Sequence, residues 1–481
     1  MKTYKMYING KFVESENGEY MNVYNPSNGL VISQVPSGTK SDVQKAIEAA
    51  DKAQSYWESL PAVKRGEFLH KIADKIRENS DKIAYLISEE VGKTKELSTV
   101  EANFTADYLD YMAEWARRYE GEIIPSDRPN ETILLFKRAI GVTTGILPWN
   151  FPFFLIARKM APALITGNTA VIKPSGESPN NAMFFTKLVD EVNLPKGVFN
   201  LVTGLGRNIG DELASNPKVG MVSITGSENS GRRVMESASK NITKVNLELG
   251  GKAPAIVLND ADIDLAVKSI VESRVINSGQ VCNCAERIYV QEDIKEEFIA
   301  KFTEAMKKVT YGNPLEYENI NMGPLINKEA QISIKEKIDK AISDGAEVLI
   351  GGNIVKGEGY FFEPTVVTNT NNNMNIMREE IFGPVAPVAT FKTIDEAIEL
   401  ANDSEYGLTS SIYTQNINKA MKVTKKLQFG ETYINRENFE ALQGFHAGWK
   451  KSGIGGADGK HGLEEYLQTQ VVYLEHDDEI Q

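Results

Sequence analysis

Cysteine is scarce in this sequence, since Cys282 and Cys284 are the only two among 481 residues. Two cysteines separated by one residue cannot readily form an unstrained disulfide with each other, so a disulfide framework is excluded. Histidine is nearly as scarce. The four histidines lie far apart along the chain and far from the cysteines, without the spacing of metal ligands. We therefore expect no metal centre.

Long apolar runs are also missing. No uninterrupted apolar run approaches the roughly 18 residues that a membrane-spanning helix needs, and the first residues lack the apolar core of a secretory signal. Unpaired thiols fit a reducing compartment, and we expect a cytoplasmic protein. The net charge of -13 comes from acidic residues scattered among lysines. This pattern argues against nucleic-acid and membrane partners.

The chain is long enough for two to four domains of about 150 residues each, and its 41% hydrophobic content allows large cores. Short β-rich runs alternate with helical patterns in two series, one over residues 163–224 and one from Ala255 onward. This alternation predicts an α/β protein with two doubly wound parallel sheets. Residues 41–79 and 81–119 have apolar residues at helical spacing and should form helices that flank the first sheet.

Two β-rich runs, residues 131–137 and 468–474, fall outside this alternation. Each would be an exposed strand that needs a pairing partner. They predict a small β extension separate from the two main sheets.

Three turns that contain glycine or lysine follow successive predicted strands. In the first turn, Gly206 and Gly210 lie at the start of a predicted helix. In the second, Gly226 and Ser227 lie at the start of another helix. In the third, Lys173 and Ser175 follow the predicted strand 169–172. Helix N-termini and glycines let a phosphate approach the backbone. Each turn taken singly is as well explained by an ordinary tight turn or a surface lysine. Their recurrence on successive strand ends favours a nucleotide site.

Three residues suggest chemistry. Cys282 lies in a turn of polar residues, which favours a reactive thiol over a core thiol. Glu248 precedes a double glycine, where it could serve as a general base or simply form a salt bridge. Asn150 lies between prolines and aromatic residues, where it could supply an oxyanion donor or belong to a rigid turn.

These three residues lie in three of four motifs whose order and spacing resemble the aldehyde dehydrogenase superfamily along almost the whole chain. The motifs are Pro148-Trp149-Asn150, Glu248-Leu249-Gly250-Gly251-Lys252, Gly279-Gln280-Val281-Cys282 and Glu380-Ile381-Phe382-Gly383-Pro384-Val385. Stretches beginning at Phe136, Asn283 and Gly430 are similar to the bacterial lactaldehyde and glycolaldehyde dehydrogenases of this superfamily.

The resemblance implies a division of the chain. Residues 1–120 and 140–250 would form a Rossmann-like dinucleotide-binding domain, and residues 251–464 a catalytic domain. Residues 121–139 and 465–481 would form oligomerisation strands that pair across subunits. A homotetramer or a homodimer is expected from such strands.

The resemblance also implies a mechanism. Cys282 matches the nucleophile, while Cys284 falls outside the motif. The oxyanion formed on attack would be held by the Asn150 amide and the Cys282 backbone N–H. Glu248 matches the base that activates water to hydrolyse the thioester, and Lys159 matches a proton-relay lysine. With Glu248 present, release of the acid is favoured over acyl transfer to coenzyme A.

The cofactor residues implied by the resemblance are those of an NAD site. Lys173 would bind the adenine ribose, Ser227 the pyrophosphate and Glu380 the nicotinamide ribose, with Phe382 beside the ring. The set is completed by Trp149, Ser175, Gly206, Gly210 and Gly226. Gly176 stands where many members carry a glutamate that would repel the 2'-phosphate of NADP. NAD is expected, with NADP kept open.

The substrate pocket is expected to be polar. Arg158, Glu440 and His446 stand where family members often carry aromatics, and Asn283 adjoins the nucleophile. Four polar groups would reject an apolar aldehyde and bind a hydroxyl, which favours a short 2-hydroxyaldehyde such as lactaldehyde or glycolaldehyde. The alternative is a structural Arg158–Glu440 ion pair beside a histidine that only packs.

Two other functions stay open at this point. One is a dehydrogenase for another small aldehyde, such as succinate semialdehyde or betaine aldehyde. The other is a cysteine hydrolase that uses Cys282 and Glu248 without a nucleotide, and the glycine turns and Lys173 count against it.

Overall fold

The structure, a computed structural model, describes residues 2–477. Its largest sheet has eight strands, of which the central five are parallel. An antiparallel strand borders them on one side and an antiparallel hairpin on the other. In spatial order the strands are Gly453–Ile454, Lys244–Glu248, Val219–Thr225, Val142–Ile146, Thr169–Lys173, Phe199–Leu201, Met6–Ile8 and Lys11–Val13.

The second sheet has seven strands, all parallel except the edge strand Glu347–Ile350. Its buried strands are rich in Val, Ile and Ala, as expected for a sheet covered on both faces. Separate apolar clusters lie around its strands. In spatial order the strands are Glu347–Ile350, Thr365–Thr368, Val385–Phe391, Ala285–Gln291, Ala253–Val257, Thr409–Tyr413 and Glu431–Ile434.

A three-stranded antiparallel sheet contains the two strands predicted outside the alternation. Leu467–Glu475 pairs with Glu131–Ala139 along its whole length, and Glu122–Pro125 pairs with the other side of Glu131–Ala139. Each predicted strand therefore has its partner within the chain, while Leu467–Glu475 and Glu122–Pro125 remain as edges. Residues 478–481 of the predicted extension lie outside the described part of the chain.

Helices cover the two large sheets. The helical stretches predicted at 41–79 and 81–119 are each divided into two helices. Pro61, which cannot donate a backbone hydrogen bond, separates the first pair, and Gly92, with a left-handed φ of 80°, ends the third helix. The helices are Lys40–Ser59, Ala62–Glu78, Ser80–Val91, Lys95–Ala113, Pro152–Ile165, Asn180–Glu191, Gly206–Ser215, Glu228–Ala238, Ile263–Val275, Lys295–Lys307, Lys328–Ser343, Asn375–Arg378, Ile394–Asn402, Ile417–Lys426 and Gly459–Glu464.

The remaining elements are short. They comprise the strands Lys2–Thr3, Tyr20–Tyr24 and Val31–Pro36 in a small sheet, the pair Tyr406–Gly407 and Trp449–Lys450, and the 3-10 turns Glu114–Arg117, Ile276–Gly279 and Glu292–Ile294. Within residues 2–477, no helix has both the length and the apolar character required to cross a membrane.

The predicted fold class is confirmed: two parallel-sheet domains and a small antiparallel extension form a mixed α/β protein. The domain boundaries stay a prediction. The strand Gly453–Ile454, which follows all seven strands of the second sheet in the chain, pairs with Lys244–Glu248 of the first sheet. The two large sheets are therefore connected by the C-terminal part of the chain.

Candidate active site

A large cavity opens where the strand order of the first sheet reverses. Chain order runs outward in both directions from the strands Val142–Ile146 and Val219–Thr225, and the carboxyl ends of these neighbours form the cavity wall. In open α/β sheets, ligands bind at such a reversal. The cavity has a volume of about 1130 Å³. Its lining includes every residue predicted to bind the cofactor: Trp149, Lys173, Ser175, Gly206, Gly210, Gly226, Ser227, Glu380 and Phe382.

The lining of this cavity fits a phosphate-bearing dinucleotide. The helices Gly206–Ser215 and Glu228–Ala238 begin at its wall, and their free N–H groups attract anions. A Cβ added at Gly206 or Gly210 would meet no neighbouring atom within 4 Å, so these glycines leave the wall open to a ligand. Burial lowers the pKa of Lys173 to about 8, and its Nζ donates to the Pro174 carbonyl at 3.0 Å. Further acceptor oxygens from a ligand would stabilise this ammonium.

Glu380 and Phe382 also line the large cavity. The Glu380 carboxylate accepts the Gly251 N–H at 2.9 Å, and a Cβ at Gly250 would approach it to 2.6 Å. Burial, with the nearby charge of Glu286, raises the pKa of Glu380 to about 7. Phe382 has a left-handed φ of 56° and meets Trp149 edge-on, with 5.7 Å between ring centroids.

The turn before Cys282 has an unusual backbone. Asn277, Ser278 and Gly279 have successive φ angles of 47°, 59° and 75°, and the first two residues pay a steric penalty there. A Cβ at Gly279 would lie 2.2 Å from the Gly383 carbonyl, so only glycine fits. Arg274 donates to the Gly279 carbonyl at 2.6 Å. This backbone is therefore held in one conformation.

The two cysteines have different surroundings. Cys282 is partly exposed and lines the large cavity, whereas Cys284 is 1% exposed. Burial raises the pKa of Cys284 to about 12. Cys284 therefore stays a neutral thiol. Of the two cysteines, only Cys282 lines the cavity.

Asn150 lines the large cavity together with Cys282. Its Nδ2 donates to the Gln280 carbonyl at 3.1 Å, and its Oδ1 accepts the Phe151 N–H at 3.1 Å. The amide is thus directed towards the turn that carries Cys282. An oxyanion formed at Cys282 would compete with the Gln280 carbonyl for this donor.

Glu248 lies in a buried group of charges. Its Oε1 accepts a hydrogen bond from Lys159 Nζ at 2.7 Å, and its Oε2 accepts one from Thr225 Oγ1 at 2.8 Å. Arg158 Nη1 lies 3.9 Å from the same carboxylate. Burial alone would raise the pKa of Glu248, but Lys159 and Arg158 outweigh it and lower the pKa to about 2. The carboxylate is therefore ionised over the whole physiological range.

A second, small cavity of about 40 Å³ adjoins the first. Asn150, Cys282 and Thr225 line both cavities and so connect them. The four residues predicted to recognise the substrate all line the small cavity: Arg158, Asn283, Glu440 and His446. The sequence analysis missed the aromatic wall of this cavity, which consists of Phe104, Phe151, Phe154 and Phe439.

Arg158 already has carboxylate partners. Its Nη2 donates to Glu440 at 2.9 Å, and its guanidinium binds Asp458 at 3.0 and 2.5 Å. Asn283 Nδ2 donates to the other Glu440 oxygen at 2.6 Å. The ion pair considered as an alternative for Arg158 and Glu440 is therefore present. Asp458, 300 residues from Arg158 in sequence, was missed because nothing local distinguishes it from a turn residue.

No cluster of three or more His, Cys, Asp or Glu side chains suited to a metal ion occurs within residues 2–477. The charges around Glu248 and Arg158 are instead paired with one another.

The sequence profile of the aldehyde dehydrogenase family matches residues 12–472 of this chain. The chain belongs to the aldehyde dehydrogenase family. It is 64% identical over 470 residues to a lactaldehyde dehydrogenase of Escherichia coli, with 98% of each chain covered. The crystal structure of lactaldehyde dehydrogenase from Escherichia coli has a TM-score of 0.98 and 63% identity, over 98% of this chain and 99% of the other.

Two further aldehyde dehydrogenase structures contain cofactors. A 3,6-anhydro-L-galactose dehydrogenase in complex with NADP has a TM-score of 0.96 and 40% identity, over 98% of this chain and 100% of that one. A betaine aldehyde dehydrogenase from Staphylococcus aureus in complex with NAD+ has a TM-score of 0.96 and 38% identity, over 99% of this chain and 96% of that one. The chain is an NAD(P)-dependent aldehyde dehydrogenase with the fold of that family.

Proposed function

We propose that this chain oxidises a short 2-hydroxyaldehyde, lactaldehyde to lactate or glycolaldehyde to glycolate, and uses NAD. The observation that carries the proposal is the small cavity beside Cys282. Its volume of about 40 Å³ suits a short substrate, and Arg158, Asn283 and Glu440 supply donors and acceptors for a hydroxyl. The 64% identity to a relative named lactaldehyde dehydrogenase supports the same choice.

Cys282 is the nucleophile in this proposal. It lines both cavities, so its sulfur can meet an aldehyde in the small one while a dinucleotide lies in the large one. Attack forms a C–S bond and turns the aldehyde oxygen into an oxyanion. The nicotinamide of bound NAD would supply the hydride acceptor.

Asn150 stabilises that oxyanion. Its amide would give up the hydrogen bond to the Gln280 carbonyl, at 3.1 Å, and donate to the oxyanion, which accepts more strongly. The Cys282 backbone N–H would be the second donor to this oxyanion. Hydrogen bonds to a charged acceptor are about twice as strong as neutral ones, so the exchange is favourable.

Glu248 and Lys159 serve the hydrolytic half of the reaction. A water molecule that attacks the thioester must lose a proton. Glu248, which is ionised and accepts a hydrogen bond from Thr225 on the wall of both cavities, is the proposed acceptor. Lys159 Nζ, at 2.7 Å from Glu248, stabilises the carboxylate. It would also pass on the proton that Glu248 takes from the water. Burial lowers the pKa of Lys159, which favours this exchange.

NAD is proposed over NADP because of the side chains beside Lys173. Gly176 removes the carboxylate that many family members have there, but Glu177 lines the same cavity. Its carboxylate would repel a 2'-phosphate and could accept a hydrogen bond from a ribose hydroxyl. Trp149 and Phe382 would enclose the nicotinamide, with Glu380 at its ribose.

A homotetramer or homodimer in the cytoplasm is also proposed. Exposed apolar side chains, among them Ile123 and Tyr473, lie on the two edge strands of the antiparallel extension. Unpaired strand edges of this kind are suited to pairing with another subunit. Cys282 and Cys284 are both free thiols, which a reducing compartment preserves.

The direct test is a panel of short aldehydes, assayed at 340 nm with NAD and with NADP. We expect kcat/KM for lactaldehyde or glycolaldehyde to exceed that for propanal by about 100-fold, because their hydroxyl group can form hydrogen bonds with the polar wall of the small cavity that propanal cannot form. Equal values for lactaldehyde and propanal, or a preference for succinate semialdehyde or betaine aldehyde, would contradict the substrate proposal. A clear preference for NADP would contradict the cofactor proposal.

Asn283→Ala is the variant that links this preference to the cavity. It removes one donor while the Arg158 ion pairs with Glu440 and Asp458 stay intact. Arg158→Leu would be a poorer choice, because it leaves the buried Asp458 unpaired and destabilises the fold. Asn283→Ala should lower kcat/KM for lactaldehyde by about tenfold and change that for propanal little.

A further inference from the structure

The helix Pro152–Ile165 begins two residues after Asn150 and carries Arg158 and Lys159 of the site. Phe151, the residue directly before it, has no side-chain acceptor that could cap the free N–H groups of the first turn. Buried N–H groups at the start of a helix need acceptors from elsewhere in the fold. Since this helix is buried along its whole length, its cap must come from another element.

Glu101, on the helix Lys95–Ala113, supplies this cap. Its Oε1 accepts the Phe153 N–H at 2.9 Å and the Phe154 N–H at 3.1 Å. The positive end of the helix dipole favours a carboxylate at this place. Glu101 is 2% exposed and lines the small cavity. A single buried carboxylate therefore holds the start of the helix that follows Asn150.

Lys93 is the counter-charge of Glu101. Its ammonium donates to the other Glu101 oxygen, and both side chains are fully buried. The same ammonium lies 3.3 Å from the centroid of the Phe151 ring, whose face attracts a cation. Gly92, with its left-handed φ of 80°, and the helix cap Thr94 place Lys93 in the tight turn between two helices. Lys93 therefore connects Glu101 to the Phe151 side chain.

Phe151 is in turn bound to the Asn150 side chain. The Phe151 N–H donates to Asn150 Oδ1 at 3.1 Å, so the oxygen end of the amide is occupied. The Nδ2 end therefore points to the turn before Cys282, where it donates to the Gln280 carbonyl at 3.1 Å. An amide rotated by half a turn would present its oxygen to an oxyanion and repel it. The position of Phe151 thus decides whether Asn150 can act as a donor.

We propose that Lys93 and Glu101 are positioning residues for the Asn150 amide. Glu101 acts through the start of the helix Pro152–Ile165, and Lys93 acts through the Phe151 ring. The inference rests on the proposed function, because it takes Asn150 as a donor to the oxyanion. A catalytic group displaced by about 1 Å can lower a rate about 100-fold, so even a modest rotation of the amide has a measurable effect.

Hydrolysis of 4-nitrophenyl acetate by the full-length protein tests this role without cofactor or aldehyde. Attack by Cys282 on this activated ester turns its carbonyl oxygen into an oxyanion, as attack on an aldehyde does. Nitrophenolate is then released while the acetyl group stays on sulfur. The rate of this release reports on the Asn150 donor, whichever aldehyde the protein oxidises.

Two variants alter the pair. Glu101→Gln keeps an oxygen for the helix N–H groups but loses the ion pair with Lys93. Lys93→Met combined with Glu101→Gln removes both charges, so no buried charge is left unpaired and folding is protected. Each should slow nitrophenolate release by about tenfold. Glu90→Gln is the matched control, because Glu90 accepts the Asn180 and Asn181 N–H groups, at 2.7 and 2.8 Å, at the start of a helix without predicted site residues. Its rate should lie within about twofold of wild type.

A double-mutant cycle with Asn150→Ala separates positioning from a general effect on the fold. If the pair acts through the amide, Lys93→Met with Glu101→Gln should change the rate by less than about twofold once the amide is absent. Independent effects would multiply instead, and the pair would cost the same factor in both backgrounds. Thermal melting is measured on every variant, because a loss of stability alone would not depend on Asn150.

The outcomes separate this inference from the proposed function. Equal rates for wild type and both pair variants, or an undiminished loss in the Asn150→Ala background, overturn the inference and leave the proposed function intact. An unchanged rate for Asn150→Ala itself overturns both, since no donor would then be there to position. A coupled cycle in a protein that shows no preference for lactaldehyde or glycolaldehyde supports the inference and contradicts the proposed substrate.

Discussion

The Glu286 carboxylate accepts the Phe382 backbone N–H at 3.0 Å and so joins the strand after Cys282 to the loop at the large cavity. Its other oxygen accepts the Ile381 N–H and the Lys252 ammonium, both at 2.8 Å. Arg274, which also holds the Gly279 carbonyl, lies 3.3 Å away. Although burial alone raises the pKa of Glu286, Lys252 and Arg274 outweigh it and lower the pKa. One buried carboxylate thereby positions both the turn before Cys282 and the Phe382 loop on the wall of the large cavity.

Glu286→Gln tests this connection. Removing the charge leaves Lys252 and Arg274 as buried cations without a counter-charge, which typically destabilises a protein by about 3 kcal/mol or more. We expect a lower melting temperature and a higher KM for NAD, because the Phe382 loop loses part of its support. Glu297→Gln removes a surface pair with Lys301 and should change stability by less than about 0.5 kcal/mol. Equal melting temperatures for the two variants would contradict the role given to Glu286.

The two cysteines should differ in reactivity and in function. Cys282→Ala should abolish aldehyde oxidation, whereas Cys284→Ala should retain most of it, because Cys284 is buried and its pKa is raised to about 12. Alanine at position 284 leaves a small cavity and should cost about 1 kcal/mol of stability. Paired steady-state assays and thermal melts measure both effects. The reverse pattern of activities would show that the nucleophile is assigned to the wrong sulfur.

Asn150→Ala should lower kcat by about 10²- to 10³-fold, as for the loss of one oxyanion donor. Its KM should change little, because the donor acts on the charge that develops during attack and not on the bound aldehyde. The Gln280 carbonyl loses the amide at 3.1 Å, so the melting temperature is measured alongside. A loss confined to KM would place Asn150 in substrate binding only.

The edge strands of the extension should control assembly. Lysines at Val471 and Tyr473, which lie on one face of an edge strand, oppose pairing with another chain. We expect the double variant to have a lower mass by light scattering, with an unchanged circular dichroism spectrum. Ile417→Lys, at a similarly exposed apolar residue on a helix, is the matched control. Wild-type protein that is monomeric at micromolar concentration would contradict the proposed assembly.

The predicted site residues that are easiest to recognise in the sequence lie in short motifs. Cys282, Asn150 and the glycine turns are recognisable because their neighbours in sequence are also their neighbours in space. The alternation of strands and helices was recognisable for the same reason, since each β/α unit is a local pattern. The break at Pro61 was overlooked because apolar spacing continues on both sides of it.

The parts that the sequence did not predict depend on contacts between distant segments. Asp458 neutralises Arg158 across 300 positions, and Glu431 orients His446 from another strand. A single carboxylate in a sequence gives no indication of which buried cation it will meet. The pairing of Glu131–Ala139 with Leu467–Glu475 is of the same kind, since both strands were recognised individually but not as partners.

Affinity for NAD should increase with pH through neutrality because of Glu380. Burial, together with Glu286, raises its pKa to about 7, so the carboxyl is protonated below that pH and ionised above it. Ribose hydroxyls donate better to the ionised form, so binding favours deprotonation, and affinity should rise from about pH 6 to 8 and then level off. Fluorescence titrations with NAD across this range measure the effect. Glu380→Gln should bind NAD more weakly and without the pH step, while Glu297→Gln should keep it. A wild-type dissociation constant that stays the same from pH 6 to 8 would rule out this role for Glu380.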